Sequence, residues 1–486
     1  MSILKTLYKQ TFIYGLATVV PKMLSFLLVR LHTDESVLEN VADYGDVSLI
    51  YAYFVLFNVL LAYGMETAFL RFFSRDGNKK TVLSTSSISL ILTSTLVLVL
   101  GYFLRHHIAN LTNIDSAYIV LVLWILFFDA LVIIPFAFLR AIGKPIKYTA
   151  VKLLNVVLNL GLNIVLLLFL KSWAESSAFW AIFYRPNYEV HYIFIANLVA
   201  STVTFLMLIS FYFKLNYSFD TKLWKQMLRY AFPVLVAGIA FSINETFDRI
   251  LLERLLPENL SKEAIGTYSA CYKLALFMML FATAYRLGIE PFFFSNANDK
   301  DAKTNYAKIL EFFVIFGALI LLSVVVFVDV LKRLLIPNEV YWEAMSVVPV
   351  LLLAYLFLGI YHNLSVWYKI TDRTKFGAYI SIFGAVVTLV INIVFIPKFG
   401  YIASAVATLI AYTTMASISY ILGQKHYAIP YNLKKIGLYL ILSVGLSILS
   451  FYKFRGDYII GIGLILILMM VIWNNEKTTL KQLIKS

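Results

Sequence analysis

Stretches of twenty or more almost wholly apolar residues recur from one end of this chain to the other. Each is long enough to cross a bilayer as a helix, which advances about 1.5 Å per residue through a hydrocarbon core about 30 Å thick. Backbone polar groups in hydrocarbon must be satisfied within the span itself, and a helix does this. Composition agrees: 61% of the 486 residues are hydrophobic and 14% charged, where a soluble domain is about a quarter charged. The expected fold is all-α, a polytopic membrane bundle of about 14 transmembrane helices with no soluble domain.

The apolar windows place spans near 10–31, 44–71, 82–104, 116–139, 148–170, 191–213, 228–252, 264–291, 306–331, 345–369, 376–396, 400–423, 434–452 and 457–474. The start, Met1 to Lys9, is short and basic, and the apolar run after it lacks a small-residue cleavage site, so it reads as a retained first span. A net charge of +14 would suggest nucleic acid in a soluble protein. Here the cations sit at helix ends, with no basic run interleaved with aromatics in a polar segment, so no nucleic-acid partner is expected.

Alternate loops differ in charge. One set carries Lys5 and Lys9, then Arg71, Arg75, Lys79 and Lys80, then Arg140, Lys144, Lys147 and Lys152, and continues so to Lys477, Lys481 and Lys485. That set holds about 26 of the 41 basic residues, which by the positive-inside rule makes it and both termini cytoplasmic. The other loops hold acids such as Asp34, Glu35, Glu39 and Asp43. The longest of these, Lys171 to Val190, is short and aromatic, as suits a membrane interface and not a separate ectodomain.

The two halves repeat each other. Gly64-Met65-Glu66 precedes Phe72-Phe73-Ser74 as Gly288-Ile289-Glu290 precedes Phe293-Phe294-Ser295. The turn at Arg140 to Tyr148 corresponds to Lys369 to Phe376, and Asn163-Ile164-Val165 to Asn392-Ile393-Val394. The matches keep their order along the chain, with offsets between 216 residues (Tyr14 to Tyr230) and 229 (Asn163 to Asn392). Each half therefore holds six spans in one orientation, a parallel repeat of the kind that transporters rock about a site between the halves. The expected organisation is a six-helix lobe over 1–215, a second over 216–428, and two additional spans with a short tail over 429–486.

With Ala42-Asp43-Tyr44-Gly45 entering span two, Tyr63-Gly64-Met65-Glu66-Thr67 near its end and Arg140-Ala141-Ile142-Gly143-Lys144 after span four, this pattern resembles the multidrug/oligosaccharidyl-lipid/polysaccharide exporter superfamily. Within it the chain is most similar to the Wzx-type polysaccharide flippases and, at greater distance, to the MurJ lipid II flippases, over about its whole length. The resemblance implies a transporter of the cell inner membrane that moves an undecaprenyl-diphosphate-linked oligosaccharide to the outer leaflet by alternating access. It also implies possible coupling to a proton or sodium gradient, and other polysaccharide-assembly membrane proteins as partners. Cation-coupled drug exporters of the superfamily tend to carry an acid in span one, where this chain has Lys22.

Ionisable residues inside a bilayer cost roughly 2.5–3.5 kcal/mol each on insertion scales and are functional candidates for that reason. Lys22 lies about halfway along span one, after Pro21; Arg30 is about two turns further out and about 80° around the axis. Lys273 lies within span eight, and Glu245, Asp248 and Arg249 share a face of span seven. Lys22, Arg30, Arg249 and Lys273 are the candidate substrate-binding cations for a diphosphate. The alternative for Glu245 and Arg249 is that they satisfy each other, and Arg286 is expected to pair with Glu290 one turn on. Glu66, Asp129, Glu245, Asp248 and Glu290 are gate or ion-coupling candidates; Glu66 and Glu290 could also share a packing role. Asn155, Asn159 and Asn163 line one face of span five, as an interhelical hydrogen-bonding ladder or a sugar-contacting one.

Enzyme signatures are lacking in the sequence. The six histidines are scattered without metal spacing, and there is no P-loop. The expectation is a non-enzymatic transporter without metal or cofactor. The rivals are a membrane-embedded polysaccharide polymerase or ligase and a cation-coupled small-molecule (drug) antiporter.

Overall fold

The computed structural model describes residues 19–75, 78–295 and 299–485. Among them, thirteen helices are long and apolar enough to span a membrane. They match the expected spans two to fourteen one for one: Val41–Ser74, Lys79–Phe103, Ser116–Ala141, Pro145–Ser176, Glu189–Lys214, Thr221–Leu255, Glu258–Glu290, Ala302–Val326, Glu339–Ile370, Lys375–Phe399, Tyr401–His426, Leu433–Lys453 and Tyr458–Lys477. Residues 19–32 form the described part of span one; Lys5, Lys9 and Tyr14 lie outside the described residues.

Span three buries a polar face and exposes an apolar one, the reverse of a helix on a soluble protein. In span three, Ser84, Thr85, Ser86, Ser87 and Ser89 are buried, while Leu92, Leu96, Leu100 and Phe103 are exposed. Small residues let helix backbones approach closely, and the apolar side chains face the lipid. Ile441 at 77% and Ile459 at 87% exposure show the same outward apolar face on the last two spans.

Two sequence features shape span two. Tyr63 (φ 30°) and Gly64 (φ 72°) both take left-handed backbone, ending one helix at Ala62 and starting another at Met65. A Cβ on Gly64 would lie 2.5 Å from the Ala231 carbonyl of span seven, so only glycine fits both the dihedral and the contact. Its repeat partner Gly288 sits within the continuous helix Glu258–Ser295 with nothing within 4 Å. The similar text around the two glycines therefore encodes a break in one half and an unbroken helix in the other.

The chain divides into two compact units, Met1–Gly266 and Thr267–Ser486. In the first, spans two and eight cross at the end away from the basic loops. A Cβ on Gly45 would fall 1.9 Å from the Lys262 carbonyl, and one on Gly266 would fall 2.4 Å from that of Val41. Lys262 and Asp46 pair beside this crossing at 2.9 Å. Span five ends in the helix Leu170–Ser176, and the short helix Ala178–Ala181 follows it, with the Trp173 and Trp180 rings 5.1 Å apart.

In the second unit, ion pairs hold the last two spans at both ends. Lys435 of span thirteen bridges Glu311 of span nine at 3.0 Å and Glu476 of span fourteen at 2.6 Å, and the Tyr439 hydroxyl donates to Glu476 at 2.7 Å. At the opposite end, Arg455 in the turn between spans thirteen and fourteen grips both oxygens of Asp329, whose other partner is Lys332 at 2.6 Å. Asp329 lies on the short helix Val328–Leu335 that follows span nine. Burial there raises its pKa, but hydrogen bonds from Arg455 and Lys332 outweigh this and hold it below the ordinary carboxylate value.

Candidate functional site

Spans two, four, five and six of the first unit enclose a polar chamber of about 440 Å³. Asp129 reaches it from the middle of span four and accepts a hydrogen bond from the Ser201 hydroxyl of span six at 2.8 Å. Asn155 of span five donates to the Thr204 hydroxyl at 2.9 Å, and Thr204 in turn donates to the Ala200 carbonyl. Asn197 donates to the Tyr51 hydroxyl at 3.3 Å. Lys152 supplies the chamber's cation and lies 4.6 Å from the Phe136 ring centre, which also lines it.

Glu66 lines the same chamber and pairs with Arg140 at 2.7 Å. The break at Gly64 places Glu66 in the first turn of the helix that follows it, and Arg140 lies in the last turn of span four. Arg140 is thus at a helix C-terminus and Glu66 at an N-terminus, each where the backbone dipole favours its charge. The second unit repeats the pairing: Lys369, in the last turn of span ten, meets Glu290 at 2.6 Å. Arg286, His362 and Asn363 adjoin this second pair.

These contacts correct one expectation. Arg286 is not paired with Glu290, whose ion-pair partner is Lys369 from span ten, and the Arg286 Nε is buried without a hydrogen-bond partner. In span seven, Arg249 pairs with the carboxylate of Asp248 at 2.8 Å and donates to the backbone carbonyl of Glu245 at 3.0 Å. All three residues are buried.

Of the other expected cations, Lys22 is half-buried, with its carbonyl accepting from Ser25 at 2.6 Å, and Arg30 is exposed. Neither lines the polar chamber. Lys273, half-buried, belongs to the second unit. The asparagines of span five divide by role. Asn155 faces the chamber, whereas Asn163 donates to Asn159 and is hydrogen-bonded to His32 of span one at 2.9 Å. The counterpart of Asn163, Asn392, accepts from Ser404 of span twelve at 2.8 Å. A π-helical turn, Val165–Phe169, follows Asn163 directly, an irregularity that often accompanies function. Among the described residues, no group of three His, Cys, Asp or Glu side chains could hold a metal ion.

Asn197, Ser201 and Thr204 are the chamber residues that sequence reasoning missed. They recur at four and three residues along span six, a polar stripe on one helical face. That spacing is the signal that could have found them.

The polar chamber lies in a fold already known. The MurJ lipid II flippase in an inward closed conformation superposes with a TM-score of 0.75 at 18% identity, covering 96% of this chain and 99% of that one. An inward-facing multidrug resistance MATE family transporter matches with a TM-score of 0.62 at 12% identity, over 87% of this chain and 96% of its own. A MOP superfamily transporter from Pyrococcus furiosus, described as having a binding pocket of reversed polarity, gives 0.60 at 14% identity, over 86% and 95%. At these identities the likeness establishes the fold. No curated protein sequence matches. The MatE family matches residues 233–394, and the family described as polysaccharide biosynthesis protein matches residues 7–294, more than half of the chain. This multi-pass membrane protein, with the fold that MurJ and MATE transporters share, therefore belongs to the polysaccharide biosynthesis protein family.

Proposed function

We propose that the protein is a non-enzymatic flippase that carries a polyprenyl-diphosphate-linked oligosaccharide from the cytoplasmic to the outer leaflet of the inner membrane by alternating access. The observation that carries this reading is a chamber of hydroxyl, amide and charged groups within the spans of a member of a polysaccharide biosynthesis family. Sugar hydroxyls are donors and acceptors at once, and Asn155, Asn197, Ser201 and Thr204 offer both. Polar groups of this kind are costly against hydrocarbon, and passage of a polar headgroup gives them a function beyond bonding between helices.

In this reading Lys22, Arg30, Arg249 and Lys273 are the candidate cations for the diphosphate, each within its own unit, while the polyprenyl tail stays in lipid. Asp129, held by Ser201, is the candidate group for coupling to protons or sodium. Glu66–Arg140 and Glu290–Lys369 act as matched latches on the cytoplasmic side, and the Gly45–Gly266 crossing must part for outward release.

Export in a deletion strain tests the proposal. Lys22→Ala and Lys273→Ala should each impair surface polysaccharide while the protein still inserts at wild-type level. Normal export from both variants removes these cations from the mechanism. Drug efflux without any effect on the polysaccharide would favour the small-molecule antiporter, and chain elongation without leaflet transfer would favour the polymerase.

A further inference from the structure

A second cavity in the first unit has a different chemistry and no place in the transport reading. It measures about 380 Å³, and its rim carries five lysines: Lys79 and Lys80 at the start of span three, Lys144 and Lys147 at the start of span five, and Lys214 at the end of span six. Among the described residues, no acidic one lines it. Among the described residues, none of the five ammonium groups forms an ion pair with a carboxylate. Its floor is apolar, built from Pro135, Phe138 and Leu139 of span four with Leu208 and Phe211 of span six.

Helix energetics do not explain this clustering. Cations are favoured at helix C-termini and disfavoured at N-termini. Four of the five lysines nevertheless stand at the N-terminal ends of spans three and five, neither of which has an acid in its first turn. A general preference for basic loops on one side of a membrane accounts for the sign of these charges. It does not account for five of them converging on one cavity with an oily base. Around the cavity the surface is apolar: Ile146 is 70% exposed and Phe213 79%.

We propose that this cavity holds the headgroup of an anionic membrane phospholipid carrying two phosphates, with its acyl chains on the apolar floor. The shape of the charge favours such a lipid: five cations exceed what one phosphodiester needs, and the oily floor suits acyl chains and not a free anion. The site lies at the boundary of the leaflet on the basic side, where lipid phosphates reside. It is independent of the proposed transport, because binding is measured without substrate movement.

The test uses the full chain in nanodiscs of phosphatidylcholine with diphosphatidylglycerol titrated in, read by native mass spectrometry. The wild type should retain diphosphatidylglycerol in preference to phosphatidylglycerol. Lys144→Gln/Lys147→Gln/Lys214→Gln should lower that affinity about 100-fold, whereas the corresponding triple arginine variant should keep most of it. Should the glutamine triple not fold, Lys147→Gln alone should weaken retention about fivefold. Affinity unchanged in the glutamine variants overturns the site. Displacement by inorganic pyrophosphate at equal concentration would make it a free-anion site, and preferential retention of undecaprenyl diphosphate would make it a substrate vestibule; either result overturns the lipid assignment.

Discussion

Arg140 at the end of span four reaches across to Glu66 at 2.7 Å, and the second half of the chain reproduces that contact with Lys369 and Glu290 at 2.6 Å. The partners come from equivalent places in the two repeats, although one cation is arginine and the other lysine. Conserving a contact between repeats while changing its chemistry implies that the pairing itself is what matters.

Arg140 and Glu66 are 42% and 43% exposed, so the pair contributes about 0.2–1 kcal/mol to stability. Arg140→Glu should therefore leave thermal unfolding in detergent almost unchanged while lowering polysaccharide export severalfold. The exchanged pair Glu66→Arg with Arg140→Glu should recover part of the export. Equal loss in the single and double variants would assign these residues separate roles.

The repeated glycines should respond oppositely. Gly64→Ala meets both a left-handed backbone and the Ala231 carbonyl, and should cost about 1–3 kcal/mol. Gly288→Ala sits in open helix and should stabilise by about 0.5–1 kcal/mol. Thermal unfolding of the two variants side by side checks the sign of each.

Removing Lys435 leaves Glu311 and Glu476 without the cation that bridges them. Lys435→Met should destabilise the C-terminal hairpin by roughly 2 kcal/mol, a buried-pair cost reduced for the partial exposure of Lys435. Glu311→Gln with Glu476→Gln in the same background should restore much of it. Protease protection of the last two spans is the readout.

Asp329 gives the account a pH signature. Its folded pKa is depressed below the ordinary 3.8, so its contribution is present above that value and is lost as pH falls through the lower folded pKa. Asp329→Asn should unfold at a lower temperature than wild type at pH 7, and the difference should shrink progressively as pH falls below 3.8.

Much of this architecture is legible in the sequence because hydrocarbon imposes a simple rule, and thirteen spans fall where apolar length puts them. Contacts between spans are another matter. Arg286 and Glu290 stand one turn apart, as pairs on an isolated helix do, but Lys369 arrives from a different span and takes the carboxylate. Arg249 likewise pairs with Asp248, the residue beside it on the same helix. The polar chamber draws on four spans spread over roughly 150 residues, and no periodicity within one helix announces that its polar stripe will meet another. The break at Gly64 was hidden for a similar reason: only the approach of span seven distinguishes it from Gly288.

Leaflet transfer in reconstituted vesicles tests the central claim most directly. With the purified chain in proteoliposomes, a fluorescent undecaprenyl-diphosphate oligosaccharide placed in one leaflet should become accessible to a membrane-impermeant quencher in the other, chemically unchanged. Asn155→Ala with Ser201→Ala should slow that transfer about tenfold or more, the loss of two hydrogen bonds. Transfer no faster than in protein-free vesicles, or transfer indifferent to the chamber residues, would contradict the account.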